Sequence, residues 1–344
     1  VRTWPARLRW GGAAVLVLAL AVGLFAWFSW AGPGPSRQAT TVVLPRGAGV
    51  AGIATALQEA GVIRSTLLFK LGAASSAAHH RLKAGEYDFP AHASAAQVLA
   101  MIAEGKIVRH WFTVPEGRTS AQVAAALRAY PILVGEVETP PEGALLPQTY
   151  EVTRGEDRQA VIDQMRAARD KVLSALWAAR QPGLPLKTPQ EAVILASIVE
   201  KETALAAERG HVASVYLNRL RKGMKLDADP TTIYGVSHGE PLGRGLRQSE
   251  LAARTPYNTY VIAGLPPTPI ANPGRDALAA TLDPPATRDL YFVADGTGGS
   301  RFAATYDEHA RNVAHWRDVE AGRRTVTTTS TTRHTTKVVR RGER

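Results

Sequence analysis

From Gly11 to Ala31 the chain carries no charged residue: GGAAVLVLALAVGLFAWFSWA. No polar stripe interrupts the run, so it does not read as an amphipathic surface helix. Wound as an α-helix at ~1.5 Å per residue, it is long enough for the ~30 Å hydrocarbon core of a bilayer. Arg2, Arg7 and Arg9 precede it, and Trp10, Trp27 and Trp30 stand near its ends, where interfacial aromatics belong. The expectation is a single membrane-spanning helix over 11–31. Residues 1–10 form a basic cytoplasmic stub, and everything after residue 31 lies beyond the inner (cytoplasmic) membrane, in a periplasmic or extracytoplasmic space. The rival is a cleaved signal peptide. Ser29-Trp30-Ala31 loosely resembles a cleavage site, but the bulk of Trp27, Phe28 and Trp30 crowds it.

Charge points the same way once it is located. Lys and Arg number 41 against 30 Asp and Glu, a net charge of +11. The first ten residues hold +3 and residues 321–344 hold +6, which leaves only +2 for the body. The basic character belongs to the ends, so no nucleic-acid partner is expected. Cysteine is absent, which excludes a disulfide framework, a thiol nucleophile and thiolate metal sites.

Gly32-Pro33-Gly34-Pro35-Ser36 begins a linker over 32–40. A strand at Thr41–Leu44, a Pro-Arg-Gly turn and a helix with Ile53, Ala54 and Leu57 on one side follow. Gly61 ends that helix, Ser65 caps another, Leu82–Phe89 reads as a strand, and Ser94 with Gln97 can form a capping box. This strand–helix–helix–strand order over 41–108 resembles a LysM-like module, the kind that lies on glycan chains. An echo follows at an offset of 70: Leu44-Pro45-x-Gly47 with Ile53, Ala54, Ala56 and Leu57 returns as Val114-Pro115-x-Gly117 with Val123, Ala124, Ala126 and Leu127. The larger part, 109–320, mixes helices and short strands. Residues 321–344 have too few large apolar side chains to pack and read as a disordered basic tail.

The most informative segment starts at Thr188-Pro189-Gln190-Glu191, a strong helix start with an N-cap, proline at the first helical position and a capping-box Glu. AVILASIV then leaves no polar face, so the helix is expected to be buried all round, with Glu200 at its end. Burial and the negative pole of the helix both raise a carboxyl pKa, and a neutral carboxyl is what a general acid requires. An ordinary salt bridge from Glu200 to Lys201, Arg209 or Arg219 stays open at this point. Glu202 lies about 200° further round and is expected to face elsewhere, on a solvated helix end. A second helix over His211–Leu220 turns Val212, Val215 and Tyr216 inward. Leu226–Thr231 is a loop with two carboxylates, Asp227 and Asp229. It lacks the Gly and terminal Glu of a calcium loop, and no metal or cofactor is expected.

Seven stretches occur in order: Ala196–Thr203 (ASIVEKET), Val212–Leu220, Asp229–Tyr234, Pro256–Tyr260, Gly264–Pro267, Ile270–Gly274 and Leu290–Asp295. Together they resemble the endolytic murein transglycosylase, or YceG-like, family over roughly residues 40–320. The resemblance implies an α+β chain: one N-terminal transmembrane helix, a LysM-like subdomain, and a mixed α+β catalytic domain with its active-site Glu on a buried helix. It implies an endolytic lytic transglycosylase that cuts the MurNAc–GlcNAc bond of nascent peptidoglycan and leaves a 1,6-anhydro end. Glu200 is then the acid/base, and Asn218, Tyr257, Asn258, Tyr260 and Asp229 are candidates for holding substrate. Glycan strands, the inner membrane and peptidoglycan synthases are the expected partners. Two positions usually aromatic in the family are Ala144 and Leu146 here, and Asp227 stands where Gln is common. Alternatives are a water-using muramidase with Asp227 or Asp229 as second carboxylate, and a non-catalytic wall-binding anchor. A serine hydrolase fits poorly, because Ser197 lies within a helix and no Gly-x-Ser-x-Gly occurs.

Overall fold

The computed structural model describes residues 6–45, 47–76 and 82–335, with side chains described from 15 to 322 within those ranges. The outer part of the basic stub (1–5), Arg46 of the expected turn, and 336–344 of the expected tail lie outside the described residues. The chain divides into two compact units. One comprises 1–112, 130–135 and 150–158; the other comprises 113–129, 136–149 and 159–344.

In the first unit, β1 (Thr40–Leu44) pairs antiparallel with β2 (Gly85–Phe89), from Thr40 opposite Phe89 to Leu44 opposite Gly85. The strand expected from Leu82 therefore starts three residues later, where Gly85 takes a φ of 149° that a side chain would strain. Two helices connect the strands, α2 (Val50–Glu59) and α3 (Thr66–Ser75). Ile53, Ala54 and Leu57 share one face of α2, and with Phe69 of α3, Tyr87 and Phe89 they form the core. α4 (Ala95–Glu104) closes it with Val98, Leu99 and Ile102. Both halves of the Ser94–Gln97 box form, at 3.2 and 3.0 Å. α1 (Ala6–Ala31) packs against α3 and α4. The Trp30 ring occupies the space beside Gly72, where a Cβ would overlap it. Val15, Leu16, Leu18, Leu20, Leu24, Phe25 and Trp27 of α1 are exposed. Among the described residues, no helix is long and apolar enough to cross a membrane.

The sequence echo is a structural one. β3 (His110–Thr113) and α5 (Ser120–Ala129) stand 70 residues after β1 and α2. Val123, Ala124 and Leu127 are buried on α5 as Ile53, Ala54 and Leu57 are on α2. Gly47 and Gly117 turn the chain at φ of 80° and 74°. β3 pairs with β4 (Thr149–Val152).

The second unit is built on helices. α6 (Arg158–Ala178) leads to α7 (Pro189–Glu202), every residue of which from Ala192 to Val199 is buried. Thr188 caps α7, accepting from the Glu191 N–H at 3.2 Å. Glu191 reaches back to the Lys187 N–H instead of closing the box on Thr188. α8 (Arg209–Arg221) and α11 (Arg275–Leu282) pack on α7 and share its core through Val212, Tyr216, Leu217 and Leu282. α9 (Asp229–Ser237) and α10 (Gln248–Ala252) follow α8, and β5 (Tyr291–Ala294) pairs with β6 (Ser300–Ala303). α12 (Tyr306–Thr335) closes the described chain. The backbone expected to be disordered from 321 thus stays helical to Thr335. Extending a formed helix by one residue costs far less than nucleating one.

Candidate active site

α7 delivers two carboxylates to two different surroundings. Glu200 points into an ionic cluster. Its side chain is 5% exposed and lies 3.4 Å from the Arg209 guanidinium. Arg209 also meets Glu116 at 3.2 Å and Asp276 at 3.6 Å. The Gly274 N–H donates to the second Glu200 oxygen at 2.9 Å. Burial raises the Glu200 pKa. The Gly274 hydrogen bond opposes that, the Glu116 charge adds to it, Arg209 lowers it, and Asp276 raises it. A Cβ at Gly274 would overlap the Glu116 carboxylate, so a side chain there would have to push Glu116 aside. The salt-bridge alternative left open by the sequence is the arrangement that forms, with Arg209.

Glu202, two residues on, faces away from that cluster. It is half-buried, where a solvated helix end was expected. The hydroxyl of Tyr216, from α8, donates to it at 2.7 Å. Burial pushes its pKa up to about 7. The Tyr216 hydrogen bond and the Arg219 charge work against the rise, and the Asp229 charge works with it. Glu202 lines two cavities, of about 450 Å³ and 390 Å³. The larger runs along Thr203, Leu205, Glu208, the glycine-rich turn 296–299 and Trp316. The smaller is walled by Tyr216, Arg219, Asp227, Asp229, Tyr260 and the aromatic group Tyr291, Tyr306 and His309. Glu200 lines neither.

Two of the expected substrate residues share the smaller cavity with Glu202. Asp229 opens α9, and Tyr260 donates to it at 2.7 Å; both line the smaller cavity. The other three do not line either cavity. Asn258 is fully buried, and its amide donates to the carbonyls of Glu250, Leu251 and Ala253. Its carbonyl oxygen accepts from Thr232 and from the Tyr260 N–H. Every polar atom of that side chain is committed to the fold. Asn218 donates to the carbonyls of Thr287 and Asp289 at 3.1 and 3.0 Å and accepts from Arg221, so it ties a loop to α8. Tyr257 bonds Thr268 at 2.7 Å and packs on Tyr234, with ring centres 5.1 Å apart. Amides and phenols suit sugar partners, but here the backbone claims the amides of Asn258 and Asn218 and a neighbouring loop claims the Tyr257 hydroxyl, so none of the three stands beside Glu202.

Several residues were missed. Arg219 is buried. It bonds Asp227 at 2.8 Å and the carbonyls of Leu226 and Leu290, which fixes the loop behind the smaller cavity. Asp227, the departure from the family pattern, sits at a φ of 51° and is held by that bond. Glu142 accepts from the Ser120 N–H at 2.8 Å and from Tyr234 at 3.3 Å. Burial raises its pKa against those hydrogen bonds. Asn272, fully buried, donates to the Arg118 carbonyl and accepts from the Leu145 N–H. Ala144 and Leu146 are buried, so the two non-aromatic replacements are core positions. Among the described residues no group of acidic or histidine side chains could hold a metal ion.

The YceG-like family model matches residues 42–315. An endolytic murein transglycosylase of Streptococcus pneumoniae is 30% identical over 81% of this chain, and the chain spans only 58% of that relative's length. One from Bacillus subtilis is 29% identical over 80% of this chain and 84% of its own. A crystal structure of a YceG-like protein from Listeria monocytogenes is 28% identical, covering 80% of this chain and 99% of that one, with a TM-score of 0.48. The stretch matched takes in both carboxylates of α7, both cavities' strand and loop walls and the hub at Asn272, and the chain belongs to the YceG-like family.

Proposed function

We propose that the chain is an endolytic lytic transglycosylase of peptidoglycan, with Glu202 and not Glu200 as the acid/base. The observation that carries it is a carboxyl poised near neutrality, held by Tyr216, at the junction of two cavities. An enzyme that cuts within a strand needs room on both sides of the scissile bond, and two cavities sharing one acid supply it. The names of the relatives support the reaction class.

Protonated Glu202 gives its proton to the glycosidic oxygen between N-acetylmuramic acid and N-acetylglucosamine. The C1–O bond to the leaving sugar breaks. The resulting carboxylate takes the proton of the muramic 6-hydroxyl, whose oxygen bonds C1 and closes the 1,6-anhydro ring. Glu202 ends protonated, no water is consumed, and one group serves both steps. The pKa of about 7 suits that double duty. Asp229 and Tyr260 are read as holding the sugar beside Glu202.

The surroundings follow the same reading. The antiparallel β1–β2 pair with two intervening helices supports a LysM-like glycan-binding role for 41–108. The uncharged run 11–31 and its exposed apolar side chains support a single-pass inner-membrane anchor with the N-terminus cytoplasmic and the remainder periplasmic or extracytoplasmic. Peptidoglycan synthases working on nascent strands fit as neighbours there. The test is mass spectrometry of glycan fragments. The wild-type chain should yield 1,6-anhydromuramic ends, lighter by one water than hydrolysed ends, and Glu202→Gln should yield neither. Reducing muramic ends alone would move the reading to a muramidase using Asp229.

A further inference from the structure

We infer that α12 forms the sugar-stacking wall of the substrate groove, with Tyr306 and Trp316 as platforms for different sugars on the two sides of the cut. This rests on the reading of Glu202 as the acid and adds the residues that decide where along the strand cutting falls.

The two cavities have only Glu202 and Phe292 in common. The smaller extends along the second half of α8, past Tyr216 and Arg219. The larger extends past Thr203 and Leu205 toward Glu208, at the start of α8. Tyr306 lines the first and Trp316 the second. At 100° per residue the two project within about 80° of each other, so one helix face serves both cavities. Ten residues at ~1.5 Å separate them by about 15 Å, more than one sugar ring.

Tyr291 and Phe292 of the smaller cavity are already engaged through their rings. Tyr291 stacks on His309 at 5.1 Å, and the Arg219 guanidinium lies 5.1 Å from its ring centre. Phe292 packs edge-on to Tyr216 at 6.0 Å. Tyr306 stands out from this group, 67% exposed, meeting Tyr291 edge-on at 6.0 Å and His309 at a tilt at 6.4 Å. Opposite Trp316 the wall is a turn whose glycines, Gly296 and Gly298, take φ of 89° and 108°. Asp295 holds that turn through the Thr297 and Gly299 N–H groups, and Glu208 holds Ser300 behind it. Ring faces set beside charged and polar groups, Arg219, Asp227 and Asp229 in the smaller cavity and Glu208 and Ser300 in the larger, suit a pyranose, which offers an apolar C–H face and a polar rim.

The test uses the full chain in detergent and an uncross-linked glycan oligosaccharide of defined length with a labelled end. Leu at either position keeps apolar bulk but no ring face; Phe keeps the face. Tyr306→Leu and Trp316→Leu should each raise KM about tenfold with kcat little changed, and Tyr306→Phe and Trp316→Phe should stay near wild type. The two Leu variants should displace the cut along the oligosaccharide in opposite directions. Equal behaviour of Leu and Phe variants, or cut positions that do not move apart, would overturn the inference. Should a Leu variant lose its thermal transition, titration of the uncleaved oligosaccharide into Glu202→Gln decides. Tryptophan emission should change there and should not change when Trp316→Phe is added; an unaltered response overturns the platform. Continued cleavage by Glu202→Gln refutes the acid and leaves the KM pattern readable.

Discussion

Glu200 and Glu202 share a helix end and a raised pKa, yet their partners set them apart. Glu200 has a cation and a backbone N–H; Glu202 has a phenol and open space. Glu202→Gln should lower glycan cleavage by 10²–10⁴, the usual worth of a general acid. Glu200→Gln should stay within about tenfold, since Gln still accepts from Gly274. Paired initial-rate assays separate the two, and a larger loss at Glu200 would return the role to it. The pH behaviour follows from the sign of the shift. Folding raises the Glu202 pKa from 4.5 to about 7, so the folded chain holds this proton more tightly. Its contribution to stability is complete below pH 4.5 and is lost as the pH rises to about 7. Activity should fall above pH 7 as the acid ionises. In denaturant melts, the stability gap between wild type and Glu202→Gln should change between pH 4.5 and 8, by the part that Glu202 alone contributes.

Among elements, the α9–α10 connection depends on Asn258. Asn258→Ala would leave the carbonyls of Glu250, Leu251 and Ala253 without their donor in a buried place. A loss of about 3 kcal/mol in chemical denaturation is expected. If Asn258 held sugar instead, KM would rise with stability intact. Arg209→Ala tests the joint of α7, α8 and α11. It would leave the buried Glu200 without its cation and should cost about 3 kcal/mol. The helices themselves were legible because their caps are local: Ser65, Ser94 and Thr188 each accept the N–H expected of them. The echo was legible for the same reason, since a strand, a glycine turn and a short amphipathic helix each obey near-neighbour rules. Asn258 was not legible in this way, because the carbonyls of Glu250, Leu251 and Ala253 converge on its amide only once α10 has folded back against it.

For the molecule as a whole, Glu202 and the residues lining its cavities belong to the second unit, and α1 belongs to the first. A chain lacking residues 1–31 should therefore cleave solubilised glycan at near wild-type rate while no longer sedimenting with lipid vesicles. Retained sedimentation would place the membrane contact elsewhere. Trp30 packs beside Gly72 and is lost in that truncation, so a modest fall in the melting temperature of the first unit is also expected.

By itself the sequence determined the apolar run, the order of strands and helices over 41–108, the buried length of α7 and the family. Each is written in nearest neighbours, in helical period or in motif order. It brought the chemistry to within two residues on one helix. Which of those two carboxylates meets open space was decided by tertiary structure alone. Two residues apart on α7 means about 200° of rotation. One direction met Arg209 and the Gly274 N–H, and the other met Tyr216 and two cavities. Those neighbours come from segments up to 114 residues away in the chain, such as Trp316. A pKa is set by the desolvation and charge that such neighbours bring, so it could not be read before they were in place.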